Sequence, residues 1–167
     1  YNQASCYRSW GKYEQAIEYQ NQCLTIHQQL EDQVRIALAY FQLGLIYKNW
    51  GKYEQAVNYF RQSKDIYQQL GLDKSVASRW SDLANCYRLW GKYEQAIEYQ
   101  NQCLTICQQL NNQASFALAY SQLGIIYADW GKYEQAVDYF QESKDIYQQL
   151  SIDNDVANQW SNLANCY

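Results

Sequence analysis

Between residues 34 and 50 the apolar and small side chains Ile36, Tyr40, Leu43, Gly44 and Tyr47 recur at spacings of three and four. That period draws one stripe down an α-helix, called helix A below. From Tyr53 the residues Ala56, Phe60, Ser63, Ile66, Tyr67 and Leu70 keep the same period, which predicts a second helix, helix B. Gly51 stands between them, where a residue free to adopt the left-handed conformation closes the last turn of helix A. So short a turn makes the pair an antiparallel hairpin.

The hairpin belongs to a series. The heptapeptide Trp-Gly-Lys-Tyr-Glu-Gln-Ala starts at Trp10, Trp50, Trp90 and Trp130, which puts the whole chain on a 40-residue period. A segment of that length cannot enclose a core alone, so each copy must bury its apolar face against the next, and a stacked solenoid is predicted. On this period residues 1–10 are a partial helix A and 12–30 a helix B. Residues 31–70, 71–110 and 111–150 are whole repeats, and 151–167 is another partial helix A, all in one array over 1–167. The connections are small and polar (Glu31-Asp32, Gly71-Leu72-Asp73, Asn112, Ser151-Ile152-Asp153), with Asp or Asn expected to accept from the first free amides of the next helix. The chain has no proline, so no helix is forced to kink and no rigid linker divides the array.

A longer period lies over the first. Residues 10–87 laid on 90–167 are identical at 58 of 78 positions, so the duplicated unit is a pair of repeats. Tyr1 to Tyr7 corresponds to Ser161 to Tyr167, which reads as a chain that begins and stops within helix A, a piece of a longer array. Its uncapped ends are complementary by construction, and weak head-to-tail self-association is expected of them.

One spacing runs through Tyr40, Leu43, Gly44, Tyr47, Gly51, Tyr53, Ala56 and Phe60, and through Tyr120, Leu123, Gly124, Tyr127, Gly131, Tyr133, Ala136 and Phe140. The alternate copy reads Trp80, Leu83, Ala84, Tyr87, Gly91, Tyr93, Ala96 and Gln100. This set resembles the signature of the tetratricopeptide repeat family: a large residue, Leu-Gly and Tyr in helix A, then Gly-x-Tyr, Ala and an aromatic in helix B. The alternate copy departs from it, with Ala84 in place of the helix A glycine and Gln100 in place of the last aromatic. The usual repeat has about 34 residues and a proline after helix B. A proline-free 40-residue repeat is similar to the longer variety of the LGN and Pins polarity proteins and of many cyanobacterial arrays. The resemblance implies an all-α, right-handed α-solenoid superhelix of stacked antiparallel hairpins, with helix A on the inner, concave wall.

On that implication, the helix A side chains that point away from helix B line a groove. They are Leu38, Phe41, Gln42, Leu45, Lys48 and Asn49, then Ser78, Ser81, Asp82, Asn85, Arg88 and Leu89. Leu118, Ser121, Gln122, Ile125, Ala128 and Asp129 follow, then Asn158, Ser161, Asn162 and Asn165. Apolar and polar helices alternate, which suits an extended peptide that needs amide partners for its backbone and apolar pockets for its side chains. Asn85 and Asn165 fall where related repeats use asparagine on a bound backbone. Arg8, Lys48 and Arg88 are candidates for carboxylates, and Phe41, Leu45 and Ile125 for apolar anchors. For Leu45 and Ile125 the alternative is packing across to a neighbouring helix A.

Composition narrows the function. The net charge of -4 argues against a phosphate backbone as partner. Residues 1–87 carry 9 basic and 8 acidic side chains and residues 88–167 carry 4 and 9, so the acidity lies in the second half. No apolar run approaches a membrane span, and a soluble chain is expected. The six cysteines follow the repeat and not metal-ligand spacing, which suggests small buried fillers in a reducing, cytoplasmic setting. The exception, Cys107 four residues after Cys103, gives half a metal site with no other half nearby. The six tryptophans and eighteen tyrosines keep a fixed repeat phase, which assigns them to packing and not to base stacking. One histidine, His27, cannot assemble a catalytic set, and Glu14 and Glu18 read as a solvated helix face. No cofactor is expected. The reading is a non-catalytic protein-interaction module that holds a peptide segment in its groove. The rivals are a structural or self-assembling scaffold, natural or engineered, and the sensor section of a larger signalling protein.

Overall fold

The computed structural model describes residues 12–166, and the candidate Arg8 and the first partial helix A lie outside them. Among the described residues there are eight helices and no strand. They are α1 (Tyr13–Gln29), α2 (Gln33–Asn49), α3 (Tyr53–Gln69), α4 (Asp73–Leu89), α5 (Tyr93–Gln109), α6 (Gln113–Asp129), α7 (Tyr133–Gln149) and α8 (Asp153–Ala164). The even-numbered helices are the predicted helices A and the odd-numbered ones the helices B. The chain divides into two compact units between Cys86 and Tyr87, inside α4. In the first unit α2 packs on α1 and α3; in the second α6 packs on α5 and α7, and α7 on α8.

The repeated heptapeptide builds the A-to-B turn. Gly51 takes φ 77°, and the amides of Gly51 and Lys52 donate to the carbonyls of Lys48 and Tyr47 at 3.0 and 2.9 Å. These bonds satisfy the last carbonyls of α2. The reversal folds Lys52 back over the Trp50 ring, 3.3 Å from its centroid, and Lys132 repeats this on Trp130. Trp50 also lies 5.6 Å from Tyr13 and 6.3 Å from Tyr47, while Tyr47 stacks on Tyr59. In the second unit Trp130 stands between Tyr93 and Tyr127 in the same way. The aromatic abundance is therefore a stack of rings that welds each turn to its neighbours.

The B-to-A turns use the same backbone with less suitable residues. Gly71 has φ 67°, but Glu31, Asn111 and Ser151 hold φ of 54°, 49° and 57°, a region that crowds a side chain. Ser151→Gly should therefore raise stability by about 0.5–1 kcal/mol, read from the midpoint of urea unfolding. The expected N-caps form in two places, where Asp32 accepts from the Arg35 amide and Asn112 from the Ser115 amide, both at 3.0 Å. They do not form at Asp73 and Asp153. Those residues are the first of α4 and α8, and Ile152, which precedes α8, has no side chain that can accept. Both aspartates act through the helix dipole instead.

The core explains the Leu-Gly pair in helix A. Leu43, Ile46 and Phe60 are fully buried, and the Phe60 ring lies so close to Gly44 that a Cβ there would meet it at 2.5 Å. Gly124 and Phe140 repeat this contact, also at 2.5 Å. Where the aromatic is replaced by glutamine the polar head is used: Gln100 Nε2 donates to the Ala119 carbonyl at 3.2 Å, and Gln20 Nε2 to that of Ala39 at 3.5 Å. Ser143 Oγ reaches the Ala117 carbonyl at 2.8 Å. Burial pushes the Cys86 thiol up to about 12, so it stays protonated and points at the Tyr53 carbonyl, 3.6 Å away.

Candidate functional site

The predicted inner-face residues come from α2, α4, α6 and α8, and the structure divides them into exposed, engaged and buried groups. Leu38 and Leu118 occupy one repeat position and are 47% and 53% exposed. Their counterparts Ser78 and Asn158 are also exposed. Asn49 and Asn165 are exposed; Leu45, Lys48, Ser81 and Asn85 are half-buried. Asn85 already takes part in contacts within the protein.

Several candidates have protein partners. Arg88 pairs with Asp129, so these two opposite charges, 41 residues apart in sequence, neutralise one another on the second unit. Ile125 packs against the cluster of Ala136, Phe140 and Leu163. That is the structural alternative to an anchor pocket. Ser121 is buried and donates to Gln159 Oε1 at 3.1 Å, and Asn162 Nδ2 donates to the same oxygen at 3.3 Å.

The corresponding positions of the first unit carry charges. The Arg79 guanidinium lies on the Phe41 ring, 3.5 Å from its centroid, and Arg79 Nε is 2.9 Å from Asp82 Oδ2. These two atoms are close enough to pair but are not aligned for a hydrogen bond. Burial is the main influence on both groups, lifting the Asp82 carboxyl and lowering the Arg79 guanidinium. Their mutual attraction opposes it, and Lys48 acts on the same carboxylate through space. Arg79 was not among the sequence-predicted inner-face residues, because it lies one position further round α4 and meets Phe41 of another repeat. The signal that marks it is a joint change: Phe41, Lys48, Arg79 and Asp82 become Ser121, Ala128, Gln159 and Asn162 in the duplicate.

Cys103 Sγ and Cys107 Sγ approach to 3.9 Å on α5. Among the described residues no group of three His, Cys, Asp or Glu side chains is placed to hold a metal ion. No described helix is long and apolar enough to cross a membrane. Clefts of about 580 and 400 Å³ open beside Tyr133, one along Gly131 to Gln135 and the other reaching Val137 and Cys166.

Paired antiparallel helices, turned at a repeated glycine and packed on sequence neighbours, define the class of helical-hairpin repeat proteins. The sequence profile of the tetratricopeptide repeat family matches residues 1–69, 35–109 and 75–149, and the chain belongs to that family. It is thereby a protein-interaction module of the all-α hairpin-repeat type. No curated protein sequence matches it. Solved structures share the fold. BtubC (BKLC) from P. vanneervenii superposes with a TM-score of 0.82 at 24% identity, over 98% of this chain and 68% of that one. A Rap protein complexed with competence and sporulation factor gives 0.75 at 19% identity, over 99% and 46%. PH0952 from Pyrococcus horikoshii, a signal-transduction ATPase with a tetratricopeptide repeat sensor, gives 0.77 at 16% identity, over 98% and 26%.

Proposed function

We propose that the helix A faces bind a peptide segment of a partner protein, without catalysis and without a cofactor. The observation that carries this reading is where the duplicated units differ. Leu43 and Leu123, or Phe60 and Phe140, are unchanged, and the twenty positions that differ include Phe41, Leu45, Lys48, Asn49, Ser78 and Asp82 of the helix A faces. Exposed Leu38 and Leu118 offer apolar contact, while exposed Asn165 offers an amide for a peptide backbone. The structure of a Rap protein with its factor, on the same fold, is consistent with this use. Acidic composition argues against nucleic acid, and the protonated Cys86 thiol suits a reducing, cytoplasmic setting.

The test is a display library of short random peptides selected on the intact chain. Peptides should be enriched, and their binding should be lost in Leu38→Asp/Leu118→Asp while the helical circular dichroism is unchanged. Failure to enrich any peptide over bare support, or binding indifferent to that double substitution, would overturn the proposal.

A further inference from the structure

The two repeat positions that Cys103 and Cys107 hold on α5, one helical turn apart, are filled by Ser63 and Tyr67 on α3 and by Ser143 and Tyr147 on α7. There they serve the fold: all four are buried, and Ser143 Oγ donates to the Ala117 carbonyl at 2.8 Å. On α5 both are thiols, 6% and 3% exposed, with Cys103 Sγ and Cys107 Sγ 3.9 Å apart. A thiol is much smaller than the tyrosine ring buried at the second position on α3 and α7, so Cys107 is not a like-for-like filler. The corresponding positions of α1 carry Cys23 and His27, again two residue types that ligate copper, and His27 Nδ1 is buried without a hydrogen-bond partner.

Helical geometry separates the two things a thiol pair can do. Residues four apart on a helix hold their Cβ atoms about 5–6 Å apart, wider than the roughly 3.5–4.5 Å that a disulfide spans. The pair is therefore badly placed to oxidise within a regular α5. An ion between the sulfurs supplies the missing length. Two metal–thiolate bonds of about 2.3 Å laid end to end span about 4.6 Å, so the sulfurs have to part by less than about 1 Å.

The donor set selects the ion. Among the described residues no group of three His, Cys, Asp or Glu side chains is placed to hold a metal, so the four ligands that zinc takes are not assembled. Two thiolates suit a soft ion that is satisfied with two ligands, and thiolate is the ligand that selects copper(I). Burial pushes the Cys107 thiol up, so it is protonated, and only an ion that binds sulfur strongly displaces the proton.

We propose that Cys103 and Cys107 form a two-coordinate site for copper(I), the ion joining both sulfurs as thiolates while two protons pass to solvent. The bound ion ties together the last two turns of α5, which ends at Gln109. The site is on a helix B, apart from the helix A faces, and stands independently of peptide binding.

The test is titration of the intact, reduced chain with copper(I) against a colorimetric copper(I) chelator, beside the same chain carrying Cys103→Ser and Cys107→Tyr. That variant installs the pair already present on α3 and α7 and keeps the four other cysteines, so copper(I) taken up elsewhere is subtracted. Its helical circular dichroism should be unchanged. The unaltered chain should hold one copper(I) more than the variant, and X-ray absorption of that copper should show two sulfur neighbours. Cys103→Ser and Cys107→Ser alone should each weaken the site at least about a hundredfold, and these single variants carry the comparison if the double variant loses helix. Equal copper(I) uptake by the unaltered and substituted chains overturns the proposal. So does a copper centre with three or more sulfur neighbours, which draws on cysteines outside α5, or zinc(II) held in preference to copper(I).

Discussion

Gly44→Ala should destabilise the protein by about 1–3 kcal/mol, the range for overpacking a filled core, because the new methyl would lie 2.5 Å from the Phe60 ring carbons. The residue is in regular helix, where alanine is otherwise favoured, so the sign of the effect separates packing from propensity. Phe60→Gln alone should cost about 3–5 kcal/mol, from the cavity left by a large buried ring and the amide placed there. The double variant should lose about 1–3 kcal/mol less than the sum of the two, because removing the ring makes room for the methyl. The chain carries this combination at equivalent positions, as buried Ala84 and buried Gln100. Denaturant midpoints of the four species give the cycle. Simple additivity would show that the close contact is not what selects glycine.

Arg79→Ala should cost about 1–3 kcal/mol, because it leaves the largely buried Asp82 carboxylate without its paired cation. The Phe41 ring also loses the group that covers it. Arg79→Gln/Asp82→Asn should cost less than about 1 kcal/mol, since the second unit joins the same two amides in a hydrogen bond. The pH dependence has a definite sign. Burial raises the Asp82 carboxyl above its unfolded value, so protonation favours the folded state, and stability from this group falls as pH rises above the ordinary aspartate range. Without Arg79 that tendency grows. The deficit of Arg79→Ala should therefore shrink as the pH is lowered toward that range, and a deficit independent of pH would assign the loss to packing alone.

Much of the architecture was legible because the heptapeptide and the 3.6-residue period are local properties. Gly51 must turn, Trp50 and Tyr47 must stack, and Leu43 and Gly44 must face helix B, whichever repeat is considered. The turns of the alternate copies were less legible. Nothing about Glu31 or Ser151 announces a positive φ; the geometry is imposed by the two helices on either side. Asp73 and Asp153 were expected as caps, yet the helices start at those residues, because the Leu72 and Ile152 carbonyls take the first helical bonds without help from a side chain.

The inner face was the least legible part, for one physical reason. Its contacts join neighbouring helices A, some 38 to 41 residues apart, and a single-helix stripe does not reveal them. Arg88 and Asp129 were each assigned to a ligand, yet the structure pairs them with one another. Ile125 was left open between pocket and packing, and it packs on the α7–α8 cluster. Arg79 was passed over because its partner Phe41 lies in another repeat. The four positions of the Arg79 set are among the twenty at which the two duplicated units differ.

Hydrogen–deuterium exchange of the intact chain, with and without one selected peptide, tests the central claim most directly. The account predicts that amide protection on binding concentrates in the helix A segments 33–49, 73–89 and 113–129, with helices B unaffected beyond their turns. Protection confined to helices B, or to the segment around Tyr133, would contradict it, since the diversified face would then not be the binding face.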